Sequence, residues 1–149
     1  MSIIIATQRI ALVRETSHRY DINRKIEDPE DAAKAFNTVL HLNESPQEVF
    51  AALYTSTKMD IVGMQVLTMG CINKSLAEPA EVFKAALLYN ASSVILAHNH
   101  PSGDPEPSKE DIEVTLRIVK AGEILGIPID DHIIIGNGRY VSLCERGNI

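Results

Sequence analysis

The stretch from His98 to Asp111, HNHPSGDPEPSKED, gathers two histidines, two serines and four acids, some at spacings that could hold a metal ion. His98 and His100 directly follow the apolar run Ser92–Ala97. At the end of a strand, two residues that are two apart project from the same face, with backbones about 6–7 Å apart. Two imidazoles on such a base can converge on one zinc ion, whose Zn–N bonds are about 2.0–2.1 Å. Pro101-Ser102-Gly103 turns the chain, and Pro105 and Pro107 stiffen the return. Ser108 and Asp111 therefore come back beside the histidines at low conformational-entropy cost.

Two histidines and one aspartate leave a fourth tetrahedral position for water, the arrangement of catalytic rather than structural zinc sites. Zinc lowers the pKa of such a water to about 7. A carboxylate outside the ligand set can serve as general base and then as acid to a leaving amine, while a hydroxyl donor can stabilise an oxyanion. Plainer readings exist for each part. Ser108 and Asp111 form S-x-x-D at a helix start, where serine caps the backbone and an acid offsets the helix dipole. A His-x-His pair alone often belongs to a polar loop. A cap and a site are compatible, because a capped helix start holds Asp111 rigidly. Asn99, Lys109 and Glu110 receive no role.

The elements around this stretch must position it. Residues 3 to 20 have strand character. Asp28-Pro29-Glu30-Asp31 opens a helix to about His41, with Asp28 as cap and Pro29 at the first helical position. Glu48 to Gly70 reads as a β-hairpin about the polar turn Thr55 to Asp60. Pro79 to Asn90 predicts a helix, preceded by the loop CINKSLAE, and Ser92 to Ala97 a short buried strand. Ser108 to about Leu125 predicts an amphipathic helix with Ile112, Thr115, Leu116, Val119 and Leu125 on or near one face, ending at Gly126. Ile127 to Ile135 and Tyr140 to Leu143 are strands joined by the turn signal Gly136-Asn137-Gly138. The order predicts an α/β or α+β domain, a mixed sheet flanked by helices, as one domain over residues 1–149.

The pattern His-x-His, seven residues, Ser, two residues, Asp resembles the RadC-like branch of the JAB/MPN (JAMM) metalloprotease superfamily. Further similarity lies in EVFKAALLYNASSVILAHNHPSG and GIPIDDHIIIGNGRYVSL, so the resemblance spans a core of about residues 40 to 145, with residues 1–40 as an extension. It implies a cytidine-deaminase-like three-layer fold and a Zn2+ site with His98, His100 and Asp111 as ligands and Ser108 near the bound water. The implied activity is hydrolysis of a peptide, isopeptide or amide bond in a protein or peptide substrate. The family's upstream glutamate is best matched by Glu48. Against it, Ser45-Pro46-Gln47-Glu48 reads as a capping box with proline at the first helical position. Glu44, Glu78 and Glu81 are rivals, with Glu81 suited to an exposed first helical turn. His132, inside an apolar strand, reads as a hydrogen-bonded structural histidine or as a residue that orients a metal ligand from behind. His18 and His41 read as surface residues.

The net charge of −6 and pI near 5.3 argue against a large phosphate-binding surface. The mildly basic cluster Arg14, His18, Arg19, Arg24 and Lys25 is interrupted by acids. The family's association with DNA repair therefore gains little electrostatic support, and longer relatives carry a helix-hairpin-helix module that is not evident here. A non-catalytic interaction scaffold is the remaining alternative, disfavoured because such members usually lose metal ligands. Cys71 and Cys144 match no CxxC pattern, consistent with a reducing, cytoplasmic setting. No signal peptide or membrane span is expected.

Overall fold

Every residue of the strand β1 (Val49–Thr55) is buried, which a strand achieves only with both faces covered. The computed structural model describes residues 18–70 and 78–149, with Ile3, Ile5, Ala11 and Val13 as isolated positions before them. The strand character of residues 3–20 falls almost wholly outside the described residues, as do residues 71–77 of the loop before the second helix.

Among the described residues, five strands form one sheet in the order β2-β1-β3-β4-β5. β2 (Ile61–Met69) is antiparallel to β1, and β1 is antiparallel to β3 (Ser93–Asn99). β3 and β4 (Ile129–Gly136) are parallel, and β5 (Arg139–Ser142) closes the sheet as a hairpin with β4. The parallel pair needs a crossover, which α3 (Lys109–Leu125) supplies. The β4–β5 turn is Asn137-Gly138, both at positive φ, so the predicted turn residues take the left-handed pair that a two-residue hairpin demands.

Alternation along the strands divides the core. Ala51, Leu53, Ile95, Ala97, Ile133 and Ile135 pack on one face against Phe36 and Ala32 of α1 (Pro29–Leu40). Phe50, Ala52, Tyr54, Val94 and Leu96 face the other way, against Val82 and Phe83 of α2 (Pro79–Tyr89) and Val114 and Ile118 of α3. The result is a three-layer mixed α/β arrangement, as expected. Asp28 caps α1 through the Asp31 amide with Pro29 at the helix start, and His41 ends it in the left-handed conformation.

Two expectations shift. The buried face of α3 runs through Asp111, Val114, Thr115, Ile118 and Gly122, whereas Leu116 and Leu125 are exposed. Near the helix end a Cβ on Gly122 would lie 2.5 Å from the Ile127 carbonyl oxygen and 3.1 Å from the Phe83 ring, so glycine is what lets the chain leaving α3 and the α2 side chain close against this side. Residues 45–48 form no helix. A short 3-10 turn, Leu42–Glu44, leads into β1, and Ser45 sits past its end.

Candidate metal centre

The site grows out of the ends of two antiparallel strands. Phe50 pairs with His98, and continuing this register by two residues sets Glu48 opposite His100. Paired residues share a face, so Glu48, Phe50, His98 and His100 all point toward the α3 side. Glu48, His98 and His100 each offer one ligand atom, all within 4.8 Å of one another. The Nε2 atoms of the two imidazoles stand 2.9 Å apart.

Asp111 arrives from the first turn of α3. Ser108 is the N-cap, and the predicted capping box is complete: Ser108 Oγ accepts from the Asp111 amide at 3.1 Å, and Asp111 Oδ2 accepts from the Ser108 amide at 2.7 Å. Cap and site thus use the same residue. Asp111 Oδ1 lies 3.4 Å from His98 Nε2, and Oδ2 lies 3.4 Å from His100 Nε2. Ligand atoms around a tetrahedral zinc with bonds of about 2.0–2.1 Å are about 3.3–3.4 Å apart. Each aspartate oxygen stands at that spacing from one imidazole, Oδ1 from His98 and Oδ2 from His100, and the two imidazoles would open by about half an ångström.

Hydrogen bonds aim each group. The His100 ring donates through Nδ1 to the Asp104 carbonyl oxygen at 2.7 Å, since a carbonyl can only accept, so Nε2 carries a lone pair in the neutral ring. The turn that supplies this carbonyl is held close. Gly103 has φ +84°, and a Cβ on Gly136 would lie 2.8 Å from the Gly103 backbone. His98 is buried, with Nδ1 2.8 Å from His132 Nε2. Phe50 packs its edge against the His132 ring, with centroids 5.6 Å apart.

The electrostatics follow. Burial disfavours ionisation of Asp111, but hydrogen bonding to the His100 and His98 rings and to the Ser108 side chain outweighs it and holds the carboxyl far below the usual carboxylate range. The Asp111 carboxylate raises the pKa of His100 against the opposing effect of burial. Burial drives His132 well below its ordinary value, so its ring is neutral. The Asp111 carboxylate facing two Nε2 atoms across 3.4 Å can be balanced by a proton on an imidazole or by a cation held between the three groups, and this donor set suits a divalent metal.

The rival glutamates are elsewhere. Glu81 pairs with Lys84, Glu78 with Arg117, and Glu44 lies in the 3-10 turn. Ser108 is exposed at the cap. His18 and His41 are exposed, as expected, and so is Cys144, a free thiol. Two hollows meet at His100, Pro101 and Ser102: a groove of about 470 Å³ that also includes Gln47, Glu48 and Gly70, and one of about 760 Å³ that also includes Asn43, Asn137 and Arg139.

Asn99 is the functional candidate that the sequence reading passed over. It points to the opposite face from the histidines, where its Oδ1 accepts from the Val49 amide at 2.8 Å and its Nδ2 donates to the carbonyls of Gln47 and Ser45 at 3.0 and 3.3 Å. These bonds bracket Glu48 on both sides. A buried asparagine between two strand-end histidines is the signal that could have pointed to it.

A three-layer fold with His98, His100, Asp111 and Glu48 at one sheet end is the form expected of a JAB-type domain. The sequence model of the RadC-like JAB domain family matches residues 26–148, and the chain belongs to that family. The chain is 47% identical over 139 residues to a UPF0758 protein of Methanococcoides burtonii, covering 87% of this chain and 61% of that protein. It is 46% identical over 146 residues to one of Methanosarcina mazei, at 93% and 62% coverage. With one of Clostridium beijerinckii it shares 48% over 125 residues, at 84% and 54%. The chain therefore spans somewhat over half the length of these relatives.

Proposed function

We propose that this chain is a zinc-dependent hydrolase of peptide, isopeptide or amide bonds. The observation that carries the reading is the convergence of His98, His100, Asp111 and Glu48 at the end of the β1–β3 pair, with the aspartate 3.4 Å from both imidazoles. His98, His100 and Asp111 are the ligands in this reading, and Glu48 stays outside the set. Asp111 is favoured over Glu48 as the third ligand because its carboxylate is fixed by the helix cap and spans both histidines. Zinc in such a site polarises a carbonyl and lowers the pKa of a water, and the chain supplies the rest.

Glu48, opposite His100 and lining the 470 Å³ groove, takes the proton of the attacking water and returns it to the leaving amine. Ser108 Oγ accepts from the Asp111 amide, and its hydroxyl proton, which the Asp111 carboxylate attracts, would turn to a developing oxyanion. The turn after His100, whose Pro101 and Ser102 line both hollows, would contact substrate on either side of the scissile bond.

Elemental analysis of the parent and of His100→Ala tests the ligand set: the parent should carry about one zinc per chain and the variant far less. Equal stoichiometry in the two would sink the assignment. Glu48→Gln should keep the metal and lose cleavage of a panel of fluorogenic peptide and isopeptide amides. Turnover retained by that variant would remove Glu48 from the mechanism.

A further inference from the structure

His132 lies one strand away from His98 and is 1% exposed. Both of its ring nitrogens are engaged. Nε2 stands 2.8 Å from His98 Nδ1, and Nδ1 stands 2.6 Å from Thr115 Oγ1. Thr115 Oγ1 lies in turn 2.6 Å from the Asp111 carbonyl oxygen. That carbonyl can only accept, so the single hydroxyl proton of Thr115 goes to it. Thr115 then accepts from His132, whose proton is on Nδ1. His132 Nε2 is left as an acceptor, and His98 must donate from Nδ1. The chain of donors ends in a lone pair on His98 Nε2, turned toward His100 and Asp111.

We propose that His132, oriented by Thr115, is a positioning residue for the metal centre: it holds His98 in the tautomer whose Nε2 is open to a cation. The inference rests on the metal reading given above. It gives α3 a double hold on the site. Asp111 and Thr115 are four apart on one helix face, so the helix that delivers the carboxylate also sets, through His132, the imidazole on another strand. The opposite polarity is conceivable in chemical terms. If Thr115 donated to His132, the proton would sit on His132 Nε2, and His98 would carry its own on Nε2, facing His100 and closing the site to a metal.

The test uses the whole, uniformly 15N-labelled chain titrated with zinc at neutral pH, read by long-range 1H–15N correlation of the imidazoles. The expected result is His132 protonated at Nδ1 and bare at Nε2, with His98 likewise bare at Nε2. Zinc affinity by chelator competition adds a second readout. Thr115→Val, nearly the same shape, should bind zinc about tenfold more weakly, Thr115→Ser should restore affinity, and His132→Ala should lose about 10–100-fold. His132 protonated at Nε2 in the zinc-bound parent would overturn the relay and leave the metal site standing. So would a folded Thr115→Val that binds zinc within about twofold of the parent. A parent chain that binds no zinc would overturn the metal reading and the relay together. If His132→Ala does not fold, the tautomer spectrum of the parent and the threonine pair still decide.

Discussion

At the residue scale, the side chains that would touch the proposed reaction are few, and those that aim them are more numerous. Asn99 is the clearest case. Its amide saturates the Val49 N–H and two carbonyls on the strand of chain that carries Glu48. Asn99→Ala leaves a buried N–H without a partner, a loss of about 1–3 kcal/mol. It also frees Glu48 from its bracket, so turnover should fall about tenfold or more while zinc stoichiometry stays at the parent value; metal analysis beside a kinetic assay checks this. Asn99→Asp keeps an acceptor for Val49 but loses both donations, and should fall between the two. Asp130, away from the site, gives a prediction in pH. Burial raises its pKa above the ordinary carboxylate value, although a hydrogen bond from Ser93 opposes this. A raised folded-state pKa means that stability is fully present below the unfolded value of about 3.9 and is lost as pH rises through the folded value. Asp130→Asn removes that loss, so it should melt above the parent at pH 7, and the gap should close as pH falls below about 4, as calorimetry across pH would record.

At the scale of elements, the order of helices and strands was legible because its signals are local. Asp28-Pro29 marked the start of α1, Ser108 that of α3, and Asn137-Gly138 the last hairpin, and each is a cap or turn whose chemistry is complete within four residues. The convergence of His98 and His100 was legible for the same reason, since strand alternation alone puts them on one side. The roles of Asn99 and Thr115 were not legible. Each depends on a partner more than a dozen residues away, Val49 for one and His132 for the other, and a polar residue in either position would look the same without the register. The buried face of α3 was not legible because apolar Leu116 and Leu125 turn to solvent while Asp111, Thr115 and Gly122, which carry no apolar signal, lie on the buried side. Close packing also joins two elements at the site. Gly136→Ala would drive a Cβ to 2.8 Å from the Gly103 backbone and 3.0 Å from the Pro105 nitrogen. Backbone cannot swing aside as a side chain does, so the 101–107 turn would move and carry the Asp104 carbonyl off His100. The expected cost is about 1–3 kcal/mol of stability, with weaker zinc binding. Urea unfolding of the metal-free chain and a chelator competition would read the two effects separately.

At the scale of the whole molecule, the metal and the fold should be linked but separable. The apolar clusters on the two faces of the sheet, one under α1 and one under α2 and α3, are built without the site residues other than Phe50 and Val49 at its edge. Unlike a zinc finger, whose core is too small to fold alone, this chain buries Phe36, Phe50, Leu53, Tyr54, Leu96 and Ile133 almost completely. A metal-free chain should therefore keep its secondary structure. It would nevertheless hold an ionised aspartate against two imidazoles with no cation to relieve them. An ion that binds only the folded state adds RT ln(1 + [L]/Kd), about 2.7 kcal/mol at a hundredfold excess over Kd, and a domain of this size shifts by roughly 2–4 °C or somewhat more per kcal/mol. Treatment with a chelator should thus leave the far-ultraviolet circular dichroism unchanged and lower the melting temperature by about 5–10 °C, and zinc should restore it. His100→Ala should melt at one temperature with or without the chelator. A chain that unfolds outright on chelation would show that the metal holds the layers together, and that the two apolar clusters do not suffice.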